Sequence, residues 1–281
     1  MTTLLPAPPL DALIQTIWDW DVPQQAHTLE RILPSASATL IINLGEDQTR
    51  VYDEALRCQR LSGSVLDAPS HRSFVIDTAE QVAVMGVVFK AAGAAAFFRE
   101  RMDVLANCHL ELEDMLPRSG GLRARLLEAK GASARLRILH AWLVQGAKTA
   151  LPRPAVREAL RRIEDATAVQ RIGAIAAHCR LSPRRLGQLF REDVGMSPKR
   201  YIRLRRFQQV ASRAHRSATV DWAAIAADCG FHDQAHLTHE FRAFSGMTPG
   251  AYLANKGQWM AHIPLAPADC RNLQDTPQPT A

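Results

Sequence analysis

Two stretches, IGAIAAHCRLSPRRLGQLFREDVGMSPKRY at residues 172–201 and WAAIAADCGFHDQAHLTHEFRAFSGMTPGAY at residues 222–252, are copies of one pattern. Ile175-Ala176-Ala177 and Cys179 match Ile225-Ala226-Ala227 and Cys229. After one inserted residue, Leu186, Phe190, Arg191, Gly195, Met196, Pro198 and Tyr201 match Leu237, Phe241, Arg242, Gly246, Met247, Pro249 and Tyr252. A repeat this regular means that one supersecondary unit occurs twice. In each copy a short Ala-rich helix with small faces is followed by a turn, Arg180-Leu181 or Gly230-Phe231. Ser182 and Asp233 then stand where a helix N-cap is wanted, and Pro183 suits the first helical position, where its missing N–H costs nothing.

The helices that follow have two faces. Leu186, Leu189 and Phe190 share one side of the first, and Leu237, Phe241 and Phe244 share one side of the second. At about 100° per residue the opposite side carries Arg184, Gly187, Gln188 and Arg191, with Arg185 at its flank. In the second copy it carries Ala235, Thr238, His239 and Arg242, with His236 at its flank. Two helices, a tight turn and a polar outward face make a helix-turn-helix. Between the copies, residues 198–214 read as one connecting helix. Tyr201, Ile202, Leu204, Phe207 and Val210 give it a buried side, and Lys199, Arg200, Arg203, Arg205, Arg206 and Arg213 load the other with charge.

Charge follows the same division. Residues 155–257 hold 17 Lys+Arg against 9 Asp+Glu, whereas residues 1–154 hold 16 against 17. A basic module beside a neutral one is the electrostatic footprint of a polyanion binder. Ser182, Arg191, Lys199, Arg200, Arg205 and Arg242 are the candidate phosphate contacts, since neutralising phosphates supplies most sequence-independent affinity. Gln188 has the amide geometry to bond an adenine edge.

The segment GFHDQAHLTHEFRAFSGMTPGAY, residues 230–252, resembles the signature of the AraC/XylS family of transcription regulators. The likeness extends over about 100 residues, because both copies and their spacing fit. It implies a domain of seven helices with two helix-turn-helix units, sequence-specific binding of double-stranded promoter DNA across two adjacent major grooves, and base contacts from outward residues early in the two recognition helices. Those residues are Arg184, Arg185, Gln188, Gln234, His236, Thr238 and His239. Gly187 and Ala235, on the same faces, have no side chain that reads a base.

The N-terminal half is patterned differently. Residues 14–22, 38–44, 51–52, 73–76 and 82–89 are short β-branched and aromatic runs. Gly45-Glu46-Asp47, Ser62-Gly63-Ser64 and Ala68-Pro69-Ser70 separate them as turn signals. Residues 91–101, 110–116, 121–129 and 132–147 have helical spacing. The expected class is α+β. It comprises a β-rich domain over 1–92, cupin-like in one reading, a helical linker or dimerisation segment over 93–150, the DNA-binding domain over 155–257, and a disordered tail over 258–281 with four prolines. ILPSASATLIINLG at 32–45 and GVVFKAAGAAAFF at 86–98 are similar to an uncharacterised sensor-like domain of some family members, which names no ligand.

Three readings of the N-terminal half stay open: a small-molecule effector site, a dimerising module, and an enzyme. Trp18 and Trp20, alternating with Asp19, fit a pocket wall, although core packing is the commoner use of such aromatics. Asn43 fits a pocket anchor or a satisfied edge residue. No nucleophile elbow, Walker loop, dinucleotide fingerprint or zinc-protease motif occurs, so no catalytic residue and no enzyme activity are expected. Cofactor and metal are expected to be absent. His232, His236 and His239 face one side, but His232 precedes the cap and the others lie on the face that should meet DNA. Five cysteines (Cys58, Cys108, Cys179, Cys229 and Cys270), far apart and with no C-x-x-C pair, read as reduced thiols. No membrane segment is expected, and the location is read as cytoplasmic. A homodimer is the expected assembly, and RNA polymerase is an open candidate partner.

Overall fold

The computed structural model describes residues 1–21, 29–147, 151–165 and 171–265. The N-terminal strands are β1 (Thr2–Leu4), β2 (Ile14–Asp21), β3 (Leu29–Ile32), β4 (Thr39–Asn43), β5 (Gln48–Tyr52), β6 (Cys58–Ser62), β7 (Ser64–Asp67), β8 (Phe74–Asp77) and β9 (Ala83–Phe89). Short α1 (Met102–Leu105), β10 (His109–Glu111) and α2 (Leu112–Met115) lead to α3 (Leu122–Glu128) and α4 (Ala132–Gly146). The helices α5 (Pro154–Asp165), α6 (Ile172–His178), α7 (Pro183–Val194), α8 (Pro198–Arg216), α9 (Trp222–Asp228), α10 (Gln234–Ser245) and α11 (Pro249–Asn255) follow, and β11 (His262–Pro264) comes last.

Two antiparallel sheets face one another, in the orders β1-β2-β9-β4-β7-β10 and β11-β3-β8-β5-β6. Alternation along the strands decides which side chains meet. In the first sheet Ile17, Leu40, Ile42, Leu66, Met85 and Val87 point outward and form one core with Leu126, Leu136, Leu139 and Leu143 of α3 and α4. The helical stretch expected as a separate linker therefore shares the sheet's core, and the apolar face of α4 is spent on it. Asp19 is buried on that same face, held by Arg135 of α4 at 2.7 and 3.1 Å.

Three sequence expectations differ from the structure. Residues 91–101 form no α-helix, only a single 3-10 turn at Gly93–Ala96. Ala92 is left-handed there, and a Cβ on Gly93 would lie 2.0 Å from the Leu13 carbonyl oxygen, so the chain is pressed against β2's approach and buried all round. Strands β1, β3, β6, β7 and β10 were missed because polar residues interrupt their alternation. The tail is ordered through residue 265: β11 pairs with β3 through His262↔Ile32, Ile263↔Arg31 and Pro264↔Glu30. Ile263 is buried, and proline is tolerated because β11 is an edge strand. The remaining tail expectation, with Cys270, lies outside the described residues.

The helical core joins both repeats: Leu186, Phe190, Leu204, Phe207, Leu237, Phe241 and Tyr252 form one cluster, together with Leu33, Ala36 and Ala92 from the N-terminal half. Gln208 donates to the Pro34 carbonyl at 3.1 Å, and Arg31 to that of Ser245 at 3.4 Å. The two halves are packed together.

Candidate nucleic-acid interface and inter-sheet cavity

Each helix-turn-helix is built by the same local devices. Ser182 Oγ accepts from the Arg185 N–H at 3.2 Å, and Asp233 Oδ1 accepts from the His236 N–H at 2.7 Å, so both expected caps are in place. At the preceding turns Arg180 and Gly230 both adopt positive φ. Gly195 (φ 86°) and Gly246 (φ 75°) stop the two recognition helices in the left-handed region that favours glycine. Ser197 and Thr248 cap the helices that follow, with Pro198 and Pro249 at the first position. The tyrosines at the repeat's end differ in partner. Tyr201 donates to Glu164 Oε1 at 2.6 Å, and burial pushes its phenol pKa far up. Tyr252 donates to the Met260 carbonyl at 3.0 Å.

Arg184, Arg185, Gln188 and Arg191 on α7 are exposed, as are Gln234, His236, His239 and Arg242 on α10. Gln234, Ala235, Thr238, His239 and Arg242 line one open depression. Two residues are engaged locally. Thr238 Oγ1 donates to the Gln234 carbonyl at 2.9 Å, and the His236 ring meets Phe231 edge-on at 5.4 Å. Along α7, Arg185 donates to Gln188 at 2.9 Å and Gln188 to Glu192 at 3.0 Å. Glu192 also receives Arg153 and lies 3.9 Å from Arg101 beside α1.

The connecting helix α8 has 19 residues, about 28 Å of rise. Its cations are not equivalent. Lys199 and Arg200 are exposed, yet Arg200 Nη1 lies 3.3 Å from His71 Nε2 in the N-terminal half. Arg203 is not on a free charged side: it grips Glu240 of α10 at 2.6 and 2.7 Å and sits 5.6 Å from the Phe244 ring. Arg205 is half-buried, with its Nε shut from water and unpartnered, and Arg213 holds Asp228 at 2.6 Å.

The second feature is a cavity of about 440 Å³ between the two sheets. Trp18 and Trp20 line it, projecting from the face of β2 opposite Asp19. Trp18 lies on Gly86, where a Cβ would stand 2.2 Å from the ring, so glycine makes the room. Asn43 takes no part. It is fully buried and its Oδ1 accepts from the Gly45 and Glu46 N–H groups at 2.9 Å, closing the β4–β5 turn. Sequence reading missed Glu30, Thr49 and the wall formed by Gln258, Trp259 and His262. The only sequence signal for that wall was the apolar Trp259-Met260 pair within a stretch read as tail.

Two capped readers on one helical core, each with cations and amides outward, define a double helix-turn-helix domain. Residues 175–255 match the family described as helix-turn-helix domain. Residues 2–111 match a family described as a domain of unknown function. The HTH-type transcriptional regulator Rv1931c of Mycobacterium tuberculosis is 35% identical over 83 residues, 29% of this chain and 31% of that protein. The arabinose operon regulatory protein of Escherichia coli is 32% identical over 101 residues, 35% of this chain and 34% of that protein. The match thus spans about a third of the length of these curated relatives. Among solved structures, ToxT from Vibrio cholerae aligns at 13% identity with a TM-score of 0.48, covering 85% of this chain and 97% of that one. Among the described residues no helix is long and apolar enough to cross a membrane.

Proposed function

We propose that the whole chain is a sequence-specific DNA-binding transcription regulator, with α7 and α10 entering two adjacent major grooves of one duplex. The observation that carries this reading is the pair of equivalent recognition helices, each capped, each exposing polar side chains in its first two turns, joined by one helix. Adjacent grooves on one face lie about 34 Å apart, and α8 braces both readers, with Tyr201 on Phe190 of α7 and Arg203 and Phe207 on Glu240 and Phe241 of α10. Arg184, Arg185, Gln188, Gln234, His236, Thr238 and His239 read base edges. Ser182, Arg191, Lys199, Arg200, Arg205 and Arg242 hold phosphates. The contact of Arg200 with His71 supports a linkage between the N-terminal half and DNA affinity.

The N-terminal half senses an effector in the inter-sheet cavity. A space of that size fits a small-molecule site, which ordinarily occupies about 300–1,000 Å³. The protein acts in the cytoplasm as a homodimer, has no enzymatic activity, and works on RNA polymerase at the promoter. The test is quantitative DNA binding to selected promoter fragments. R184A and Q188A each weaken specific binding by about 1–3 kcal/mol and leave binding to scrambled DNA nearly unchanged. Equal affinity of wild type and variants for both fragments overturns the reading.

A further inference from the structure

The cavity's wall has a chemistry that selects a ligand class. Three indoles, Trp18, Trp20 and Trp259, and the ring of Phe74 line it. Trp20 and Trp259 meet edge-to-face at 5.6 Å. The ionisable side chains on it are Glu30, Asp67 and His262; none of the described lining residues is Lys or Arg. Glu30 is bonded to His262 Nδ1 at 2.7 Å and Asp67 to His109 Nδ1 at 2.7 Å, so each carboxylate is fixed in place. Thr49 lines the cavity too, is buried, and has a hydroxyl without a hydrogen-bond partner. Aromatic faces carry negative quadrupoles and attract cations, while the one basic side chain among the described lining residues, His262, is already bonded to Glu30.

The wall is also shared. Trp259 and His262 belong to the chain that follows α11. That segment is tied to α11 by the Tyr252 hydroxyl on the Met260 carbonyl at 3.0 Å, and to itself by Gly257 N–H on His262 O at 3.2 Å. Beyond it, β11 joins the sheet of β3. The cavity is therefore walled on one side by the segment that follows the DNA-binding domain.

Resting on the effector-site reading above, we propose that the cavity binds an aromatic or otherwise apolar organic cation, an ammonium compound rather than a carboxylate, and that the Gln258–His262 segment closes over it. The occupant's apolar body lies among the indoles and its charge faces Glu30 and Asp67. Occupancy then stiffens the segment attached to α11, which gives the ligand a route to the second reader.

The test uses the full chain and three naphthyl probes with the same four-carbon chain, ending in ammonium, hydroxyl or carboxylate. Calorimetry and tryptophan quenching should show the ammonium compound binding at least about ten-fold more tightly than the carboxylate. Trp259→Ala should lower its affinity about ten-fold, and Asp67→Asn should narrow the gap between ammonium and carboxylate. Ile41→Trp, which fills the cavity, should abolish binding with the melting temperature retained. Hydrogen exchange over residues 257–264 should slow when the ammonium probe is bound. Carboxylate binding as tight as ammonium, no quenching by any probe, or unchanged exchange over the segment overturns the proposal. Carboxylate binding as tight as ammonium overturns the choice of a cation and leaves the effector site standing, whereas binding of none of the three probes overturns the effector-site reading as well.

Discussion

Replacing Arg203 by alanine separates a cation that builds the domain from one that touches DNA. Arg203 and Glu240 make two charge-assisted hydrogen bonds at 2.6 and 2.7 Å. Glu240 is only 8% exposed, while the arginine side chain is 39% exposed. Removing one partner of a fully buried pair costs about 3–5 kcal/mol, and an exposed pair is worth about 0.2–1 kcal/mol. This pair lies between, nearer the buried limit on its acidic side, so Arg203→Ala should cost about 2 kcal/mol. The Arg203 hydrogen bonds hold the Glu240 carboxyl below the usual carboxylate range. The pair's contribution is thus present above the unfolded glutamate pKa and fades as pH falls through the lower folded value. Urea denaturation followed by helical circular dichroism, at pH 7 and again near pH 4, measures both effects. Replacing both residues with apolar ones of similar volume, R203M with E240L, should recover most of the loss. The reasoning is refuted if R203A leaves stability within about 0.5 kcal/mol, a surface-substitution effect, and instead flattens the salt dependence of DNA binding.

Three further outcomes follow from single contacts. Gly187 lies within α7, and a methyl group added there would meet only Arg191 Nη1, 3.7 Å away, so Gly187→Ala should raise stability by about 0.5–1 kcal/mol in the same denaturation assay; destabilisation would mean the site is not open. Burial, then the charges of Arg200 and Arg72, lower the His71 pKa from 6.5 to about 4. The unfolded chain takes the proton first, so stability should fall as pH drops from about 6.5 toward 4, and His71→Gln should flatten that part of a pH series of urea melts. Lys256 Nζ donates to the carbonyls of Ala214, His215 and Ser217 at 3.3, 2.9 and 2.8 Å, closing the end of α8. Lys256→Met should cost about 1–2 kcal/mol, and an unchanged melting temperature would show that those carbonyls are satisfied otherwise.

The readers were legible because everything that makes them is local. A cap, a 3.6-residue apolar face and a glycine after the helix act within one or two turns, and the repeat doubled each of these signals. Cation roles were not legible to the same degree. Arg203 and Lys199 look alike in sequence, and only the approach of Glu240 from another helix, 37 residues away, makes one of them structural. The alternation of β2, β4 and β9 was readable, but β3 and β7 were lost among polar residues such as Glu30, Arg31, Ser64 and Asp67. Of these, Glu30 and Asp67 face the cavity rather than a core, whereas Arg31, on the other side of β3, reaches the Ser245 carbonyl.

Residue order alone determined the double helix-turn-helix, its caps, its outward polar faces and the basic character of its half. Each depends on neighbours a few positions apart along the chain. Tertiary structure alone decided that the helices of residues 122–146 pack on the first sheet, that a 440 Å³ space stays open between the sheets, and that the chain after α11 returns to wall it. Those outcomes depend on distances between segments as much as 232 residues apart, such as Glu30 and His262, which no local period encodes.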